Sequence, residues 1–580
     1  MEKRIAVIEK EKCNPEGCGG YLCIRVSPGN RMGNEVFVVG PDGKAQVNED
    51  VCTDAESVTV KKCPFSAIHM IKLPAKLASQ PVHRYGKDGF ILYRLPTPKF
   101  GSVTGILGVN GIGKSTAVKV LSRVLQPNLG KEKSDFSELL QYFKGSEAQL
   151  FFERLSEGKI KISYKPQAVD LIPKQFSGKV KELLEKADEK RQLSDIAKRL
   201  DLTNILNSEI KELSGGELQR VAIAAAALKD ANVYFFDEPS SFLDISQRIN
   251  VSKFIRSLAN ESTAVVVVEH DLVILDYMAD FIHVMYGEAG AYGIVSQAKP
   301  TRNAINAYLS GYLKEENVRF RNHEIKFTER PPDRLIRTEP LISWKDVGKK
   351  LGDFKLTASS GDISKKSVVG ILGPNGIGKT TFVKLIAGVE NPDSGSISSK
   401  VKVSYKPQYL GFNSDELVES YLNVDELLSK QLNLEPLMKK EINKLSGGEL
   451  QRVAIADCLS KDADLYLLDE PSAYLDVEQR LIISKVIRER MEQFGKTALV
   501  VEHDLVFIDY LSDSLIVFEG EPAKHGSVNG AFPMEEGMNR FLTNLNITLR
   551  RDPDSSRPRI NKSDSRLDKE QRESGKLYYQ

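Results

Sequence analysis

The stretch Leu213–Arg220 reads LSGGELQR, and the same letters return at Leu445–Arg452. In both copies a serine precedes two glycines and a helix-like run, Leu218–Leu228 or Leu450–Leu459. A helix start of this kind turns bare N–H groups and the positive end of the helix dipole toward an anion. The Ser214 or Ser446 hydroxyl adds a further donor. Ser-Gly-Gly is also ordinary helix-start punctuation. Its duplication, each copy downstream of a phosphate loop and 23 residues ahead of an Asp-Glu pair, selects the anion reading.

Those loops are GVNGIGKS at Gly108–Ser115 and GPNGIGKT at Gly373–Thr380, each between an apolar strand (Val103–Leu107, Val368–Leu372) and a helix-like run. Glycines let backbone N–H groups close around phosphates, the lysine reaches the terminal ones, and the hydroxyl serves magnesium. The candidate contacts are Asn110, Gly111, Gly113, Lys114, Ser115 and Thr116, and in the second half Asn375, Gly376, Gly378, Lys379, Thr380 and Thr381. Downstream lie the matching segments SYKPQ, ending at Gln167 and Gln408. The first half is longer between lysine and glutamine, and the extra residues fall within about 134–157. There Phe136, Leu139, Leu140, Phe143, Leu150, Phe151 and Leu155 recur at helical spacing around Gly145, which predicts a helix–loop–helix insert. Its apolar face serves either packing on its own domain or a partner.

Each half then carries a buried-type strand ending in two acids, Asp237-Glu238 and Asp469-Glu470. The first acid suits a magnesium shell and the second suits orienting or deprotonating a water. A further apolar strand in each half ends in His270 or His503. Their paired placement favours contact with a terminal phosphate over a purely structural role.

At 580 residues the chain is long enough for about four domains. The net charge is only +2 from 81 basic and 79 acidic residues, so nucleic-acid contact must come from local patches. The sequence has neither an apolar run of transmembrane length nor an N-terminal signal pattern, and a soluble cytoplasmic protein is expected. Of the 6 cysteines, Cys13, Cys18, Cys23, Cys52 and Cys63 cluster at the N-terminus. In an intracellular chain this points to metal rather than disulfides, with either an iron–sulfur cluster or zinc suited to the thiolates.

The N-terminal run resembles a two-cluster bacterial ferredoxin domain, in which the last cysteine of each motif serves the other motif's cluster. That resemblance assigns Cys13, Cys18, Cys23 and Cys63 to one [4Fe–4S] site. The second site would need Ser27, Cys52 and positions near Ala55 and Thr59, and only Cys52 is a cysteine. One cluster is expected, with the second site lost or rebuilt.

Both halves resemble the ATP-binding cassette ATPases, through the phosphate loops, glutamines, LSGGE signatures, Asp-Glu pairs and strand-end histidines. The resemblance implies an α/β fold of two tandem cassettes paired head to tail around ATP and Mg2+. Lys114, Ser115, Gln167, Asp237, Glu238 and His270 would face Ser446 and Gly448. Lys379, Thr380, Gln408, Asp469, Glu470 and His503 would face Ser214 and Gly216. Ser115, Gln167, Thr380 and Gln408 are the implied magnesium ligands, and Phe90 (or Tyr85) and Phe354 the implied adenine platforms.

The order of parts resembles more narrowly the ABC-type ribosome-recycling factors, or RNase L inhibitor proteins, in their archaeal form. It implies an α+β ferredoxin-like domain over 1–75, a first cassette over 76–292, a hinge over 293–335, a second cassette over 336–525, and a hinge with a basic tail over 526–580. It further implies ATP-driven splitting of ribosomes into subunits by a monomer, with ribosomal subunits and a release or rescue factor as partners. The competing functions are an ATP-switched initiation or assembly scaffold that works with initiation factors, and the ATPase of a transporter. Arg550, Arg551, Arg557 and Arg559 open the tail and are expected either to meet ribosomal RNA phosphates or to wrap the hinge.

Overall fold

Val103–Leu107 and Val368–Leu372 are buried at every residue, as strands in the middle of a parallel sheet covered on both faces must be. The structure, a computed structural model, describes residues 4–8, 12–40, 43–48, 51–72, 80–86, 89–131, 135–321, 324–325, 327, 339–398, 401–408 and 415–579. In the first half the parallel order is Ile162–Lys165, Val233–Asp237, Ala264–Val268, Val103–Leu107, Phe281–Glu288. The second half repeats it with Val403–Lys406, Leu465–Asp469, Thr497–Val501, Val368–Leu372 and Ser514–Glu521. Every phosphate loop therefore leaves the carboxyl end of a central strand, where ligands of open α/β sheets bind.

Two sheet strands cross the expected domain edges. Tyr292–Val295 pairs with Phe281–Glu288 past residue 292, and His525–Pro533 pairs with Ser514–Glu521 past residue 525, so both cassettes reach further than their expected limits. Apolar side chains continue on both strands, which holds them in the sheets. The expected edges at 75 and 335 and the start of the insert at 134 lie outside the described residues.

The insert is a helix pair, Phe136–Tyr142 and Glu147–Ser156. Leu139, Phe143, Phe151, Phe152 and Leu155 are buried in the first cassette's own core, with Phe143 stacked on Phe152 at 4.8 Å. Leu150 remains 56% exposed.

The N-terminal unit pairs Arg4–Ile8 with Ile68–Lys72 and carries a hairpin of Phe37–Val39 with Ala45–Val47. The helices Leu22–Val26, Pro28–Arg31 and Ser57–Lys62 belong to the same unit.

The tail forms the hairpin Leu549–Arg551 with Pro558–Ile560, then the helix Arg566–Ser574. Its arginines depart from the RNA expectation. Arg557 is fully buried and donates to Asp276 at 3.1 Å, while Arg559 holds Asp276 at 2.6 Å and Asp552 at 3.1 Å. Arg551 stands 3.6 Å from Asp509, whose carboxylate also accepts from the Tyr578 hydroxyl. Asp276 and Asp509 occupy equivalent positions in HDLVILDYM and HDLVFIDYL, so the tail grips the same point on each cassette. The paired carboxylates offset the cost of taking these guanidinium groups out of water.

Candidate functional site

Gly113 and Gly378 enter the phosphate-loop helices with φ of 92° and 94°, a left-handed conformation that suits glycine. A Cβ at Gly113 would stand 2.4 Å from Phe90 Cζ, and one at Gly378 would stand 2.9 Å from Phe354 Cζ. The two phenylalanines thus lie against their loops in matching fashion. The Tyr85 amide bonds the Phe90 carbonyl at 3.0 Å, but the Tyr85 ring meets His83 edge-on at 4.6 Å and is 42% exposed.

Ser115, Thr116, Thr380 and Thr381 fall in the first turns of the helices Lys114–Leu121 and Lys379–Ile386. Lys114 Nζ donates to the carbonyls of Gly108 (2.9 Å) and Val109 (2.8 Å), and Lys379 Nζ to those of Gly373 (2.9 Å) and Pro374 (2.7 Å). Burial pulls both ammonium groups down to about 8, against the attraction of nearby carboxylates. A buried cation held only by neutral carbonyls is poised for anionic oxygens.

Thr380 Oγ1 donates to Asp469 at 3.0 Å, while both Asp237 carboxylate oxygens are buried beside the Ser115 and Tyr164 hydroxyls with no well-formed hydrogen bond. An orphaned buried carboxylate beside a phosphate loop fits a hard cation. Gln167 and Gln408 donate to Glu238 (2.8 Å) and Glu470 (2.7 Å). His270 stands 3.3 Å from Glu238, and His503 stands 3.6 Å from Glu470. His270 lies close enough to Glu238 to lower that carboxyl, and burial, followed by the neighbouring lysine, lowers the pKa of each imidazole.

Four residues not singled out from sequence hold the glutamates' backbone. Lys165 Nζ reaches the carbonyls of Asp237 (2.9 Å) and Glu238 (3.4 Å), and Lys406 Nζ those of Asp469 (2.6 Å) and Glu470 (3.2 Å). Gln219 and Gln451, inside the signature helices, donate to the Glu238 and Glu470 carbonyls at 2.6 and 2.7 Å. Glu238 and Glu470 have φ of 47° and 46°, a strained conformation for a side-chain-bearing residue that these donors hold in place. The signal was present in sequence, since SYKPQ and LSGGELQR each occur twice with these residues unchanged.

The cassettes touch head to tail. The Asn110 amide donates to Asp476 Oδ2 and the Asn375 amide to Asp244 Oδ2, both at 3.0 Å. The Asn110 and Asn375 side chains reach the carbonyls of Tyr474 and Phe242 at 3.4 Å. Phe242 and Tyr474 in turn lie against the signature glycines, 3.0 Å from a Cβ built at Gly216 or Gly448. Each signature turn is thereby linked by one residue to the opposite phosphate loop. Ser214 and Ser446 cap their helices in reciprocal boxes with Glu217 and Glu449. Arg248 bridges the halves, donating to Asp271 (2.9 Å) and to the His503 carbonyl (3.4 Å).

At the N-terminus, Cys13, Cys18, Cys23 and Cys63 converge. Burial pushes the Cys23 thiol up to about 11, and repulsion from Cys13, Cys18 and Cys63 adds to it. Among the described residues no three His, Cys, Asp or Glu side chains are close enough to hold a single metal ion. Cys52 stands apart, buried in the core with Ala6 and Ile8 and accepting the Ala6 amide at 3.2 Å.

Comparison with known proteins extends this. The ABC transporter family model matches residues 97–241 and 356–473. An uncharacterized ABC transporter ATP-binding protein of Methanocaldococcus jannaschii is 49% identical, covering 99% of this chain and 97% of its own. A solved complex of archaeal ribosomal stalk protein aP1 with archaeal ribosome recycling factor aABCE1 matches at 55% identity and TM-score 0.83, covering 86% of this chain and 99% of that one. A model of ribosome-bound archaeal Pelota and ABCE1 matches at 52% identity and TM-score 0.94 over the whole of both chains. Among the described residues no helix is long and apolar enough to cross a membrane. With both cassettes and the N-terminal unit covered by these matches, the chain is an ABC-type ATPase and belongs to the ribosome-recycling factor family, the RNase L inhibitor proteins.

Proposed function

We propose that this ATPase splits ribosomes into subunits after termination or rescue, working in the cytoplasm with a release or rescue factor on the small subunit. The observation that carries the reading is the pair of crossed contacts, Asn110 to Asp476 and Asn375 to Asp244, which makes each phosphate loop part of an interface with the other cassette. Nucleotide held there favours the closed pair over the open one, and that differential affinity is what drives a conformational equilibrium. The relatives' association with stalk protein and with ribosome-bound Pelota supports the ribosome as the object moved.

Within each site the chain's own residues take distinct tasks. Lys114 and Lys379 exchange their loop carbonyls for the terminal phosphate oxygens. Asp237 and Asp469, with Ser115, Thr380, Gln167 and Gln408, would hold magnesium, which would supply positive charge at the phosphates. Glu238 and Glu470 orient and deprotonate the attacking water, and the neutral imidazoles of His270 and His503 steady the terminal phosphate. Phe90 and Phe354 stack on adenine. Cys13, Cys18, Cys23 and Cys63 hold one [4Fe–4S] cluster in the domain that the closing cassettes displace.

The test is co-sedimentation and splitting. Small subunits are expected to retain the chain with a non-hydrolysable ATP analogue, and Glu238→Gln with Glu470→Gln is expected to permit one round of splitting but not repeated rounds. Failure to bind small subunits under any nucleotide condition overturns the proposal.

A further inference from the structure

The two cysteine motifs of the N-terminal unit run in parallel but end differently. The first runs Cys13, Cys18, Cys23, Ser27-Pro28, and the second runs Cys52, Glu56, Thr59, Cys63-Pro64. Counted back from Cys63 in the C-x2-C-x2-C-x3-C pattern, Thr59 and Glu56 fall on two ligand positions of a second cluster, Cys52 lies one residue from the third, and Ser27 before Pro28 takes the fourth.

The structure brings three of these four together on a carboxylate. Ser27 Oγ donates to Glu56 Oε1 at 2.8 Å, the Gly29 amide donates to the same oxygen at 2.8 Å, and Thr59 Oγ1 donates to Glu56 Oε2 at 2.6 Å. Ser27 Oγ also accepts the Asn30 amide at 3.1 Å. Ser27, Glu56 and Thr59 are each 0% exposed. Ligands of a cubane are held apart by the width of the cluster, whereas these oxygens touch. Gly29 is fitted to the carboxylate as well, since a Cβ there would stand 2.9 Å from Glu56 Oε1 and 2.3 Å from Val36 Cγ2. The residues at this position do not fit an iron–sulfur cluster.

We propose that a Glu56-centred hydrogen-bond knot with Ser27, Thr59 and the Gly29 amide has replaced the second cluster, so that this half of the domain is organised without iron. The knot supplies what the cluster otherwise would, a buried polar hub that ties the turn at Ser27-Pro28 to the helix Ser57–Lys62. A buried carboxylate is tolerable there because three donors satisfy it. The inference rests on the reading that Cys13, Cys18, Cys23 and Cys63 hold the remaining cluster, and its test separates the two.

The full chain is purified anaerobically, and iron and acid-labile sulfide are counted beside hydrogen exchange of the Gly29 amide. The wild type is expected to carry about four iron atoms per chain. Thr59→Val and Glu56→Gln are expected to keep that iron while Gly29 exchanges at least about tenfold faster. About eight iron atoms per chain, or unchanged Gly29 exchange in both variants, overturns the knot. No iron in the wild type with the exchange effect intact overturns the one-cluster reading and leaves the knot standing. If Glu56→Gln fails to fold, Thr59→Val and Ser27→Ala, each removing one donor, carry the same test.

Discussion

At the Lys114 site, burial raises the Glu238 carboxyl, but His270 and Lys114 outweigh it and draw it down to about 2. At the Lys379 site the equivalent Glu470 is pushed up, by burial and then by Asp469, beyond what Lys379 and Gln408 offset. Both glutamates follow the same letters, Asp-Glu-Pro-Ser, and both accept from a glutamine of the same motif. The difference lies in the histidines. His270 stands 3.3 Å from its glutamate and His503 stands 3.6 Å from its own, while each is discharged by an arginine of the other cassette, Arg480 at His270 and Arg248 at His503. Duplicated motifs therefore supply the same groups without supplying the same proton affinity, which the opposing cassette helps to set.

The strongest way to break this comparison is to remove both bases. Glu238→Gln with Glu470→Gln should lower steady-state phosphate release by about 10²–10⁴-fold, the usual worth of a positioned general base. Retained turnover would show that neither glutamate takes the proton. The halves are also anchored unequally, by two arginines at Asp276 and by Arg551 and Tyr578 at Asp509. Arg557→Ala leaves Asp276 short of a buried partner and should destabilise the chain by about 3–5 kcal/mol in thermal or denaturant unfolding. Tyr578→Phe should cost about 1–3 kcal/mol on the same measurement.

A smaller effect probes the ring platforms. Phe90→Ala and Phe354→Ala should each weaken ATP binding about 3–10-fold at their own site in nucleotide titrations, with Tyr85→Ala changing little. Acid titration sharpens the comparison most finely. A carboxylate whose pKa is raised takes up its proton earlier as pH falls, and one whose pKa is lowered stays ionised further into acid. Single-turnover hydrolysis by the Glu238→Gln variant, which depends on Glu470, should therefore fail at a higher pH than hydrolysis by Glu470→Gln, which depends on Glu238. Coincident acid limbs would remove the asymmetry.

Much of this architecture was legible before any coordinates, because phosphate loops, signatures and Asp-Glu strands are local patterns with one physical purpose. Phe90 and Phe354 could be chosen from their matching distance to the lysines, and the structure lays both on the loops. Long-range pairing was harder to read. The strands at Tyr292–Val295 and His525–Pro533 run past the expected cassette limits because what holds them is pairing with the preceding strands, Phe281–Glu288 and Ser514–Glu521, which no local motif marks. The tail arginines could be read either as phosphate ligands or as a wrap over the hinge, since nothing local discloses that Asp276 and Asp509 wait for them. The missing cysteines announced a lost cluster, yet Glu56 stayed hidden because one added residue shifts it off the usual spacing.

On one rigid helix, the signature turn at Ser214 is linked through Phe242 to the other cassette's phosphate loop, while Gln219, little more than a turn later, grips the carbonyl of its own cassette's Glu238. The second signature helix repeats this with Ser446 and Gln451. The two chambers are thus yoked by a pair of crossed levers. A nucleotide that shifts one signature turn would pull on the same helix that holds the other chamber's neighbouring glutamate.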